Sequence, residues 1–190
     1  MFVYVQSRID KILKEADGLV YNMALHNEEW LMTIKKYKKP FLLVHGGFQG
    51  KMAKIEDIID FARKHRPRLI IAPDIYRDQV TTLILTEEYV NRCPDLIEIS
   101  AGVIQGGLGD FYDVIEIYDK WGFKWVAIPS DNHKILGLID FLREHGWKIH
   151  ILGGRLNTLY EVDSIDLVIG LNNIALFEVL RWKRRGIHIR

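Results

Sequence analysis

Along this chain, short runs of apolar and β-branched residues alternate with longer stretches in which apolar positions recur every three or four residues. The short runs fall at 2–5 (FVYV), 19–22 (LVYN), 41–45 (FLLVH), 68–73 (RLIIAP), within 96–104 (LIEISAGVI), 124–128 (KWVAI), 148–152 (KIHIL) and 165–170 (IDLVIG). Several are apolar on both faces, as strands buried inside a parallel sheet must be. Between them, IEDIIDFARKH, TTLILTEEYVNR, FYDVIEIYDKW and ILGLIDFLREH carry charges opposite an apolar stripe, which predicts amphipathic crossover helices. Asp57, Asp110 and Asn132 stand near helix starts, where their side chains can cap free N–H groups. Gly122 and Gly146 stand where helices should end.

Eight such β-plus-α units predict one α/β domain over residues 1–190, a single (β/α)8 barrel of the TIM type, closed by pairing strand 2–5 with strand 165–170. With 190 residues against about 250 in a typical barrel, there is little room for insertions. An open doubly wound parallel sheet is the alternative. No linker or low-complexity segment interrupts the pattern.

Composition narrows the partners. Lys and Arg number 26 against 25 Asp and Glu, a formal net charge of +1, so no global field draws the chain to nucleic acid or membrane and any such partner must meet a local patch. Cys93 is the only cysteine, which excludes an internal disulfide and a Cys-rich zinc site and suits a reducing, cytoplasmic setting. Acidic residues interrupt MFVYVQSRIDKILKEADG where a secretory segment would be apolar, and no apolar run approaches the roughly 18 residues of a membrane span. The expectation is a protein neither secreted nor embedded, and no cofactor is implied.

In a (β/α)8 barrel the chemistry collects on the loops after the strands. Those positions hold Asn22; His45 with Gly46-Gly47-Phe48-Gln49-Gly50; Pro73-Asp74; Gln105-Gly106-Gly107; Ser130-Asp131-Asn132-His133; Gly153-Gly154-Arg155; and Asn172-Asn173. Asp74 reads as a site carboxylate or as half of an ion pair with Arg77, and His45 as a satisfied core histidine or a catalytic one. Asp131 and Asn132 read equally as helix caps, and the glycines as turn formers. The C-terminal RWKRRGIHIR gathers Arg181, Lys183, Arg184, Arg185 and Arg190 beside Trp182. It is suited to phosphates and base stacking, or is a solvated helix end.

In this order the strand ends resemble the tRNA-guanine transglycosylase family, (β/α)8 enzymes that exchange a guanine in nucleic acid for a 7-deazaguanine. DGLVYNMAL is similar to the strand leading into the family's Asn-Thr-Tyr-His stretch, with Asn22 on its Asn. FLLVHGGFQG resembles the approach to the Asp-Ser-Gly-Gly-Phe-Gln motif, matching Gly46, Gly47, Phe48 and Gln49. LIIAPD sets Asp74 on the base-recognising aspartate, and AGVIQGG matches the base-binding loop through Gly102, Gln105, Gly106 and Gly107. The resemblance implies that Asn22, His45, Gly46, Gly47, Gln49, Asp74, Gln105, Gly106 and Gly107 surround a guanine or 7-deazaguanine; tRNA or DNA is the partner that the basic C-terminus suits.

The chain also departs from the family. Val44 and His45 stand where the family has Asp-Ser, and aligning Asp166 with the first aspartate of the eighth strand puts Ile169 in the nucleophile's place. Asp163 and Asp166 fall toward the start of that strand, and the Cys-rich zinc site is missing. Base exchange needs a carboxylate at an oxocarbenium-like transition state. Ile169 cannot supply it, and Asn172, the nearest polar residue, is a poor nucleophile. Asp74 can still accept two N–H bonds from a guanine-like edge, Gln105 offers a donor and an acceptor, and Gly106-Gly107 allows close approach. Three functions fit: a transglycosylase-like protein that binds or exchanges the base, a non-catalytic binding subunit of a homo- or heterodimer, and a metal-assisted hydrolase using His45, Asp74, Asp131 and His133.

Overall fold

A computed structural model of the protein describes residues 2–6, 10–25, 28–46, 52–107, 109–153 and 163–168. Eight strands follow in chain order: β1 (Phe2–Gln6), β2 (Gly18–Asn22), β3 (Phe41–Val44), β4 (Leu69–Ile71), β5 (Ser100–Val103), β6 (Trp125–Pro129), β7 (Lys148–Leu152) and β8 (Ser164–Val168). Each pairs in parallel with its sequence neighbour, and β1 pairs with β8 from Phe2↔Ser164 to Gln6↔Val168, so the sheet closes into a barrel and the open-sheet alternative falls. The described helices are α1 (Asp10–Glu15), α2 (Glu28–Tyr37), α3 (Ile55–His65), α4 (Gln79–Arg92), α5 (Phe111–Lys120), α6 (His133–Leu136) and α7 (Ile139–Glu144).

Strand residues alternate between two buried layers, which is why both parities are apolar in the sequence. Tyr4, Val20, Leu42, Leu69, Ile71, Ala101, Val103 and Ala127 form one cluster, the filling of the barrel. The intervening positions, among them Val3, Leu19, Leu43, Ile70, Val126, Ile128, Ile149 and Ile151, pack with helix residues such as Ile12, Ile34, Ile58, Val114 and Leu142. Each such side chain taken out of water stabilises the fold by about 1.5–3 kcal/mol. At the N-terminal ends of the strands, Asp17 and Asp163 play matching parts: Asp17 Oδ2 accepts the Val3 N–H at 2.8 Å, and Asp163 Oδ2 accepts the Ile149 N–H at 2.8 Å. Asp163 is thus a structural clasp at the end opposite the strand-end loops. Asp166 lies at the middle of β8, in register with Tyr4, rather than at its start.

Several local expectations are corrected. Within the run 96–104 the strand occupies the second half: Pro94–Ile99 is a 3-10 helix and β5 begins at Ser100, whose hydroxyl donates back to the Leu96 carbonyl at 2.8 Å. Pro94 has no N–H for a ladder, and its fixed φ suits the first turn of a helix. ILGLIDFLREH divides into α6 and α7 about a turn at Gly137-Leu138, since glycine mid-helix is conformationally costly. Asp57 lies within the first turn of α3, and Asp110, at the cap of α5, makes no side-chain capping bond. Asp78 instead caps α4, accepting from Thr81 N at 2.9 Å. Asn132 caps α6 with a long 3.5 Å bond, and Gly122 and Gly146 follow their helices at φ +85° and +81°. Among the described residues, no helix is long and apolar enough to cross a membrane.

Candidate functional site

Because all eight strands are parallel, the residues that follow them gather at one end of the barrel. Three from successive strands are bonded to one another there. His45, after β3, is 2% exposed and sets Nε2 2.6 Å from Asp74 Oδ1. Asp74, after β4, has a side chain 16% exposed, and its other oxygen, Oδ2, accepts from Gln105 Nε2 at 2.6 Å. Gln105, after β5, turns its Oε1 to the Arg77 N–H at 2.9 Å. His45 Nε2 is also 3.1 Å from the Asp74 N–H, and one nitrogen cannot both donate and accept with a single proton state. The short bond to the carboxylate is the stronger, so we assign the proton to Nε2. His45 Nδ1 is then a buried acceptor with no partner among the described residues.

The ion pair envisaged between Asp74 and Arg77 does not form. The Arg77 guanidinium bonds Asp131 at 3.2 Å and lies over the Tyr76 ring, while the Tyr76 hydroxyl donates to the same Asp131 carboxylate. The Tyr76 bond, helped to a lesser extent by that of Arg77, holds the Asp131 carboxyl below the usual carboxylate range against the opposing effect of burial. Asp74 is held by His45 and Gln105 instead. Each of its oxygens accepts one internal donor, which leaves a lone pair on each for a ligand. Gln105 is more committed than the sequence suggested, since its amide already gives one donor and one acceptor to the protein.

The glycines separate. Gly46 leaves β3 at φ +99°, a conformation natural to glycine. Gly106 is enclosed: its N–H donates to Gln79 Oε1 at 2.9 Å, its carbonyl accepts from Asn132 Nδ2 at 3.0 Å, and a Cβ there would lie 3.2 Å from Gln79 Cβ and Cγ. Gly107 is exposed, with nothing within 4 Å of where a Cβ would stand. Close approach of a ligand therefore suits Gly107, whereas Gly106 is closely packed against the Gln79 side chain. Asn22 ends β2 opposite Val44, and its Oδ1 accepts from Ala24 N at 3.0 Å in a local turn. Ser130 Oγ donates to the Gly153 carbonyl at 2.7 Å, so side-chain bonds tie neighbouring loops from β3 round to β7.

Gly47, Gln49, Asn172, Arg181, Lys183, Arg184 and Arg185 lie outside the described residues. The sequence reading missed Gln79 and Tyr76 at this end of the barrel. The signal for Gln79 was present: Gln79, Thr82 and Thr86 recur at helical spacing as a polar stripe on a crossover helix. His45, Asp74, Asp131 and His133 do not converge on one ion: Asp131 is engaged by Tyr76 and Arg77, His133 is exposed at the start of α6, and among the described residues no group of three or more His, Cys, Asp and Glu is placed to hold a metal. Compared with models of known protein families and with curated proteins, the sequence finds no match in either.

Proposed function

We propose that this chain is a transglycosylase-like protein that binds guanine or a 7-deazaguanine, free or within nucleic acid, at the C-terminal end of the barrel. The observation that carries this reading is the partly exposed Asp74 carboxylate, oriented from both sides by His45 and Gln105. A carboxylate so oriented is suited to the paired N–H donors on one edge of a guanine-like ring, and the open space at Gly107 leaves room for a flat heterocycle. The resemblance of GGFQ and VIQGG to the family's loops supports the same ligand. Exchange is a different matter, because positions 169–172 are Ile, Gly, Leu and Asn and none offers the carboxylate that the reaction needs.

Calorimetric titration with guanine and a 7-deazaguanine is expected to show saturable binding. Asp74→Ala should weaken it at least about tenfold, since unpaired donors in a closed site cost about 1–3 kcal/mol. Undiminished binding by that variant would remove Asp74 from the site. Labelled guanine should not be incorporated into tRNA or DNA by the chain alone, because losing a nucleophile costs several orders of magnitude in rate. Robust incorporation, or a trapped covalent adduct, would overturn the non-catalytic part of the reading. Exchange that appears only with a second protein would point to a partner that supplies the carboxylate.

A further inference from the structure

The inner face of helix α4 is polar over its first two turns, before Tyr89 restores an apolar contact. Gln79, Thr82 and Thr86 on its inner face are 8%, 0% and 0% exposed, while Val80 and Ile84 on its outer face are 71% and 60% exposed. Its neighbour α3 follows the ordinary rule and buries Ile55, Ile58, Ile59 and Ala62. Buried polar groups are tolerated where they have partners, and those of α4 find theirs in the strand-end loops. Thr86 Oγ1 donates to the Pro73 carbonyl at 3.2 Å, and Thr82 Oγ1 accepts from the Ile75 N–H at 2.9 Å. Gln79 Oε1 accepts twice, from Gln105 N at 2.7 Å and from Gly106 N at 2.9 Å.

From this arrangement we infer that Gln79 is a positioning residue for the base site, its side-chain oxygen holding residues 105–107 in the shape that aims the Gln105 amide at Asp74. The inference takes its ligand from the reading above, but the loop geometry stands without it. The position uses the oxygen: Oε1 alone accepts both backbone N–H groups. Gly106 packs closely on the stem of the same side chain, where a Cβ would stand 3.2 Å from Gln79 Cβ and Cγ. Arg77 completes the clamp from the other side: it adopts φ +61°, unusual for a residue with a side chain, within the 75–78 turn that brings its N–H to Gln105 Oε1. With its backbone N–H and its side-chain oxygen both fixed, Gln105 presents its side-chain nitrogen to Asp74 in one orientation.

Two variants of the full chain test this. Gln79→Met keeps the shape and removes the acceptor; Gln79→Glu keeps an acceptor oxygen and puts a carboxyl group where the amide stood. Amide hydrogen exchange followed by NMR and guanine titration are the readouts. In Gln79→Met the Gln105 and Gly106 amides should exchange at least about tenfold faster while strand amides keep their rates, and guanine affinity should fall about tenfold. Gln79→Glu should restore protection of the two amides to within about threefold of the native chain. Unchanged exchange at 105 and 106 in Gln79→Met, failure of Gln79→Glu to restore it, or undiminished guanine binding once protection is lost would each overturn the role. If Gln79→Met does not fold, Gln79→Leu removes the acceptor with a shorter apolar side chain, and unaltered Gln105 and Gly106 amides there would equally overturn the role. A native chain that ignores guanine while the two amides respond as expected would leave the positioning intact and bring down the base-binding reading alone.

Discussion

At the scale of single residues, Gly102 shows how a motif position can have a packing cause. It faces outward from β5, and a Cβ there would come within 2.7 Å of the Tyr118 ring of α5. Tyr118 cannot easily withdraw, because it is fully buried and its hydroxyl donates to the Val103 carbonyl at 2.6 Å. Gly102→Ala should therefore destabilise the chain by about 1–3 kcal/mol, the usual range for overpacking a closed core. Urea unfolding should show a lower midpoint at unchanged slope, and a midpoint equal to that of the native chain would refute the clash. In the sequence Gly102 reads only as part of a loop motif, because nothing in GVIQGG states which tyrosine will lie flat against it. Asp74, His45 and Gln105 were legible for a different reason: a polar residue ending an apolar parallel strand has no place in either buried layer and must face the loops.

At the scale of elements, strands and helices were legible wherever one period ran unbroken and the core accepted it. The strand at 148–152 and the helix IEDIIDFARKH occur as the pattern predicts, each with its apolar positions buried. The pattern failed where local chemistry overrode it. LIEIS alternates like a strand, yet Pro94 and the Ser100–Leu96 bond wind the preceding residues into a 3-10 turn. ILGLIDFLREH keeps helical spacing, yet the chain turns at Gly137-Leu138 between α6 and α7. α4 is the instructive case, because its existence was legible and its orientation was not. Apolar spacing would turn Val80 and Ile84 inward, whereas four bonds to buried backbone groups of the 73–79 and 105–106 loops turn Gln79, Thr82 and Thr86 inward instead. An unmet backbone N–H costs about as much as a buried methyl group or two contributes, so several such groups together can reverse a helix face. Partners of that kind are distant in sequence, and no periodicity reveals them.

At the scale of the whole molecule, the closed barrel concentrates weak acids in its interior, and this sets how stability responds to pH. Burial pushes the Tyr4 hydroxyl up to about 12 and the Cys93 thiol up to about 11, and it raises Tyr89 and Tyr118 further. In the unfolded chain these groups ionise near their ordinary values, 9.0 for the thiol and 10.0 for the phenols. Below about pH 9 all four are neutral in both states, and the stability linked to them is fully present. As pH rises past 9, the unfolded chain gives up protons that the folded chain retains, so unfolding becomes progressively easier until the raised values are passed. The carboxylates with lowered values, Asp10, Glu56, Asp78, Asp95, Glu116 and Asp131, have the opposite sense, favouring the fold above their unfolded values and losing that contribution as pH falls through the lowered ones. They lie toward the surface, where solvent screening leaves each pair little effect. The alkaline limb should therefore be the steeper of the two. Urea midpoints measured from pH 7 to 11 should stay level to about pH 9 and then decline, and Cys93, which donates to the Tyr89 carbonyl, should react with a thiol reagent only as the barrel opens. A midpoint that holds level to pH 11, or rapid labelling of Cys93 in the folded chain at pH 8, would contradict a sealed interior around these groups.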